Sequence, residues 1–169
     1  MSWQWPLHQD MLSAAPVPRA PSPAAFGARR RHHIHEGVDL HCAEATRVVA
    51  VEHGVVVYAG QFTGRALGHK WWLNTDAVMV EGLSGVVVYG EIAQSPFLAV
   101  GSHVRAGSIL GRVVHVLPPN KRPRPCMLHL ELRAPGHAEL FDWAPDQPKP
   151  EWLLDPTPLL QLAQGDGIT

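Results

Sequence analysis

Helical periodicity is nearly absent from this chain, and that absence removes all-α and doubly wound α/β architectures at the outset. The one helical segment expected is a short turn at Pro158 to Gln164. Charge is also sparse, at 17% of 169 residues with a net charge of −1. A balance so close to neutral gives no general attraction to nucleic acid or to an anionic membrane, so neither is expected as a partner. Two cysteines, Cys42 and Cys126, are too few for a disulfide framework. They can pair or remain as buried free thiols. No apolar run is long enough to span a bilayer, and the N-terminus lacks the basic-then-apolar layout of a secretory signal. The expectation for the chain as it stands is a cytoplasmic location, with an extracytoplasmic one reached only by unconventional export.

What the chain does have is a hydrophobic content of 46%, enough for one globular domain with a sizeable core. Residues 1–28 read as a Pro-rich irregular arm, with Trp3 and Trp5 able to anchor it and Pro16, Pro18, Pro21 and Pro23 precluding a helix. The domain proper is expected over 29–162, with a tail at 163–169. Short Val-rich runs predict strands at Val48 to Val51, Gly54 to Ala59, Ala77 to Glu81, Gly85 to Ile92, Ile109 to Val116 and Met127 to Arg133. Glu52-His53-Gly54 and Gly82-Leu83-Ser84-Gly85 read as hairpin turns. The fold class is therefore all-β, an antiparallel sheet or partly open barrel with long loops. Two loops exceed what connection requires: Gln61 to Asp76, with Trp71 and Trp72, and the Pro-rich Leu117 to Pro125. Such loops wall a binding groove, although the two indoles can equally cover an open face of the sheet.

Eleven histidines are present, and four of them fall within residues 30–41 beside Glu36 and Asp39. His35 and Asp39 flank Gly37 and Val38, a pair that disfavours a helix and favours a bend. On a straight strand the two would stand about 13 Å apart, too far for one ion, so sharing a metal requires that bend. Two ligands do not complete a zinc site. In Cys126 to Arg133 the period is two: Leu128, Leu130 and Leu132 take the core face, and Met127, His129, Glu131 and Arg133 the other. His129 is then the natural third ligand. The same parity places Val87, Tyr89 and Glu91 on one face of their strand. The three arginines at 29–31 read as a solvated entry to the domain, or else as an anion contact.

The order of these features resembles the lysostaphin-type (LytM-type, duplicated hybrid motif) zinc metallopeptidases. The matching stretches are His35-Glu36-Gly37-Val38-Asp39, Gly54 to Gly60, Tyr89-Gly90-Glu91, Val104 to Gly111, Met127 to Glu131 and Asp155-Pro156-Thr157-Pro158. The resemblance implies that His35, Asp39 and His129 hold a zinc ion whose fourth position is open to water. It also implies a peptide or peptidoglycan-like substrate.

The chain departs from that family pattern at both further histidines of the site, where it carries Glu91 and Met127. Glu91 reads either as a replacement general base or as a strand-end carboxylate, with Tyr89 offering its phenol toward the oxyanion. Met127 cannot titrate and is left as part of the substrate-binding wall with Trp71 and Trp72. Glu131 and His33 are expected behind the ligands, Glu131 orienting one of them or pairing with an arginine. Two functions follow: a zinc-dependent hydrolase of an amide bond, or a catalytically inactive zinc-binding domain that binds a peptide, glycan or protein partner.

Overall fold

The computed structural model describes residues 2–9 and 14–165, so the end of the expected tail, from 166, lies outside the described residues. Among those described are β1 (Leu7–His8), β2 (Val38–His41), β3 (Arg47–Val49), β4 (Gly54–Thr63), a 3₁₀ turn at Arg65–Leu67, and β5 (Thr75–Gly82). They continue with β6 (Gly85–Gln94), β7 (His103–Val104), β8 (Ile109–Val113), β9 (Met127–Arg133), β10 (Leu153–Leu154) and α1 (Thr157–Gln164). All strand pairings are antiparallel, in the order β1-β3-β8-β6-β5-β4-β7, with β9 joining β6, β2 and β10. No helix among the described residues is long and apolar enough to cross a membrane.

The alternating Val-rich runs account for the long strands, since β-branched side chains suit a pleated, half-buried surface. Of the two expected hairpins, Gly82 to Gly85 joins β5 to β6 as read. The other is corrected: β3 pairs with β8 and β4 with β5 and β7, so Glu52-His53-Gly54 is a crossover between sheet neighbourhoods and not a hairpin turn. The first long loop is also shorter than expected, because β4 runs to Thr63 and β5 starts at Thr75, where the two threonine hydroxyls meet at 2.7 Å.

The core lies on one face of the sheet, where Val38, Leu40, Val87, Leu110, Leu128 and Leu130 are buried together. Trp3 and Trp5 join it, so the irregular arm packs against the domain through its tryptophans. Further along the arm, the backbones of residues 24–28 run beside residues 35–39, with Asp39 N–H donating to Ala24 and His35 N–H to Ala28.

One irregularity positions the site. Strand β6 pairs with β9 through Gly90 and then with β8 from Ile92, leaving Glu91 alone where the partner changes. Glu91 has φ 63°, a left-handed conformation rare for a non-glycine residue, and it forms a bulge. The extra residue breaks the two-residue alternation. Tyr89 and Ile92 both face the core, and Glu91 is turned the other way.

Candidate active site

Asp39 on β2 and His129 on β9 are direct register partners, so the sheet ladder sets a carboxylate opposite an imidazole. His35 reaches them from the turn before β2. Gly37 permits that turn: a Cβ there would meet the Leu130 carbonyl oxygen at 2.3 Å. The resulting bend brings His35 Nε2 to 3.0 Å from Asp39 Oδ1 and 3.2 Å from His129 Nδ1, while His129 Nδ1 lies 2.9 Å from the same Asp39 oxygen. One donor atom from each of the three residues falls within 4.8 Å of the other two.

Every outward atom of this trio is already held. His35 Nδ1 stands 2.9 Å from the carbonyl oxygen of Ala25, and because a carbonyl only accepts, Nδ1 carries the proton and Nε2 faces the trio. Asp39 Oδ2 accepts from Arg30 at 2.5 Å. Glu131 Oε1 takes His129 Nε2–H at 3.0 Å, and Glu131 Oε2 pairs with Arg133 at 2.7–2.9 Å. This is a donor set with its supporting partners in place.

The electrostatics follow from that packing. Burial lowers His35 toward the neutral form. Burial also pulls His129 down, but Asp39 and Glu131 outweigh it and raise it well above the ordinary histidine value. Burial pushes Asp39 up, and the two histidines overcome it and hold the carboxyl well below its usual range. A cation at the centre of the trio would replace the His129 Nδ1 proton, the exchange expected of a metal ligand. Two nitrogens and one carboxylate oxygen, each fixed from behind, suit zinc.

Glu91 lines the same cavity as His129, a space of about 630 Å³. Its Oε2 is shielded from solvent and has no hydrogen-bond partner, and burial, then the neighbouring Asp39, raise the carboxyl to about 7. Phe62 packs 5.6 Å from the His129 ring, a position open to it because Gly90 has no Cβ: one there would meet the Phe62 ring at 2.4 Å. Trp72, Leu140 and Phe141 complete the apolar wall.

Several expectations need correction. Tyr89 does not face this site. Its phenol is fully buried in the core and accepts the Val51 N–H at 2.9 Å, because the Glu91 bulge reverses the facing between them. Met127 is buried and does not line the cavity, so it is no substrate contact there. Of the two indoles only Trp72 lines the cavity, whereas Trp71 is 75% exposed with Lys121 above its ring. His33 lines the cavity and makes no side-chain hydrogen bond to the trio; burial and Arg30 lower it.

Two contributors were missed by sequence reasoning. Arg30, expected at a solvated entry or on an anion, instead clamps Asp39. Glu36, with no role expected from the sequence, is buried, accepts the Trp143 N–H at 2.7 Å, and is raised to about 7 by burial. Its position beside His35 in a glycine-bounded bend was the only signal available.

Comparison with solved structures agrees with this fold. A Ruminococcus gnavus protein named as a LytM glycyl-glycine endopeptidase is 19% identical at a TM-score of 0.62, over 97% of this chain and 61% of that one. The antimicrobial peptidase lysostaphin from Staphylococcus simulans is 21% identical at 0.57, over 99% and 55%. CbpA from L. salivarius REN is 20% identical at 0.53, over 98% of each chain. The chain thus spans less than two thirds of the first two. No curated protein matches the sequence. Residues 33–139, well over half the chain, match the sequence profile of peptidase family M23, and the chain belongs to that family.

Proposed function

We propose that this domain is a metal-dependent hydrolase of a peptide or other amide bond, with His35, Asp39 and His129 holding zinc and Glu91 acting as general base. The observation that carries the reading is the unpartnered Glu91 Oε2, a carboxylate oxygen kept free beside His129 in the cavity that the trio opens onto. Zinc, when bound, supplies a Lewis acid that polarises a substrate carbonyl and lowers the pKa of water. The protein's own residues do the rest. Ala25, Arg30 and Glu131 fix the three ligands in orientation. Glu91 takes a proton from the attacking water, and its raised pKa lets it hand that proton on to the departing amine. Phe62, Trp72, Leu140 and Phe141 offer an apolar wall for an extended chain beside the reacting atoms.

The family resemblance points to a peptidoglycan cross-bridge or a similar Gly-rich peptide as substrate. Met127 favours a second reading, because it puts an untitratable side chain where the family carries a histidine. On that reading the domain binds zinc and a peptide, glycan or protein partner without cutting it. Incubating the zinc-loaded chain with Gly-rich peptides and following new amino termini separates the two. Hydrolysis by the wild type and none by Glu91→Gln, with zinc content equal in both, supports the hydrolase. Binding without hydrolysis by the wild type supports the binding domain.

A further inference from the structure

The β2–β9 ladder continues one step past its last paired strand residues. His41 faces Met127, and the next N–H, that of Cys42, donates to the Cys126 carbonyl at 3.2 Å. The two cysteines therefore stand opposite each other on adjacent antiparallel segments. Both pack with the main core, on the sheet face opposite His129. Directly opposed residues of an antiparallel pair have Cα atoms about 4.5–5.5 Å apart, within the roughly 4.4–6.8 Å that a disulfide spans. Both thiols are free.

Cys126 has a second partner. Its Sγ lies 3.1 Å from Nδ1 of His115, and His115 Nε2 lies 3.4 Å from Oε2 of Glu44. Thiol, imidazole and carboxylate in this sequence form a nucleophile, a base and a group that orients the base. Glu44, His115 and Arg124 line a separate cavity of about 270 Å³, so the base and its carboxylate stand at the edge of an open space. Burial raises both thiols, so ionisation needs a base, and His115 is the base within reach of Cys126.

We propose that Cys126 and Cys42 form a peroxide-responsive thiol pair, Cys126 reacting first and Cys42 resolving it to a cross-strand disulfide. His115 accepts the Cys126 thiol proton, and the sulfur attacks one oxygen of a hydroperoxide. The O–O bond breaks, Cys126 becomes a sulfenic acid, and the remaining oxygen leaves as water or an alcohol with the proton from His115. The Cys42 sulfur then displaces the sulfenic hydroxyl, which departs with the Cys42 proton as water, and the S–S bond forms. The pair loses two electrons and the hydroperoxide gains them. The bond lies one residue beyond the ends of the two strands that carry Asp39 and His129.

The test treats the full chain with hydrogen peroxide and maps its peptides without reduction. The expected product is a peptide pair linked through Cys42 and Cys126, lighter by two hydrogens and released by dithiothreitol. In Cys42→Ser, dimedone should label Cys126, and adding His115→Gln should slow that labelling at least tenfold. The proposal is overturned if both wild-type thiols can still be alkylated once peroxide has oxidised the methionines. It is equally overturned if the sulfenic acid forms on Cys42 in preference to Cys126.

Discussion

Asp39 and His129 face each other as register partners across β2 and β9, with Oδ1 and Nδ1 2.9 Å apart. The antiparallel ladder therefore fixes two of the three candidate ligands through backbone hydrogen bonds, and only His35 depends on a bend. A site built on paired strands is held more precisely than one on loops.

The Arg30 clamp predicts how that carboxylate is aimed. Arg30 occupies Oδ2 of Asp39 and leaves Oδ1 to the histidines. Arg30→Met should weaken zinc binding by about 10–100-fold, the usual cost of losing an outer partner of a ligand. The Arg30 side chain is 29% exposed, so the fold should persist. Competition against a chelator measures the affinity, and an unchanged value would remove Arg30 from the site.

Glu131 has a structural duty as well. It is the partner of Arg133, which is completely buried. Glu131→Ala should cost about 3–5 kcal/mol in urea unfolding, since it strands a buried guanidinium. A loss below about 1 kcal/mol would mean that Arg133 finds adequate partners in the His137 and Glu139 carbonyls alone.

Tyr89→Phe distinguishes the observed core position from a catalytic one. Removing the phenol oxygen leaves the buried Val51 N–H without its acceptor and should destabilise the chain by about 1–3 kcal/mol. Turnover at saturating zinc should be unchanged. A loss of turnover with full stability would put the phenol back at the reacting centre.

The pH dependence follows from Glu91. Its carboxyl is raised to about 7, by burial first and by Asp39 second, and only the ionised form is a base. Activity should rise with pH along one acid limb and level off above it. The positive charge of bound zinc lowers the carboxyl, so the midpoint should lie no higher than about 7. The stability effect has the opposite sign. A carboxyl raised on folding binds its proton more tightly in the native state, so its contribution is full below its unfolded value and is lost as pH rises toward about 7. Thermal melts of metal-free wild type and Glu91→Gln should therefore diverge over that interval, the variant falling less.

Much of this was legible in the sequence, for identifiable reasons. Strands β4, β5, β6 and β9 announce themselves by Val-rich or alternating texture, and the two-residue period of Met127 to Arg133 separates Leu128 and Leu130 from His129 and Glu131. The same rule misled at Tyr89 and Glu91, because one bulged residue reverses facing and leaves no mark in composition. Arg30 was invisible for a different reason. Its contact with Asp39 depends on how an irregular arm folds back along residues 35–39, and side-chain pairing of that kind has no periodicity to read. The short strands β1, β2, β7 and β10 owe their existence to the strands they pair with and not to local propensity.

The most direct test of the account is a crystal structure of the zinc-soaked protein with anomalous data at the zinc edge. One metal is expected, bound by His35 Nε2, Asp39 Oδ1 and His129 Nδ1, with the Glu91 carboxylate turned toward an open coordination position facing Trp72. Metal elsewhere, or Glu91 itself serving as a fourth ligand that closes the site, would contradict it.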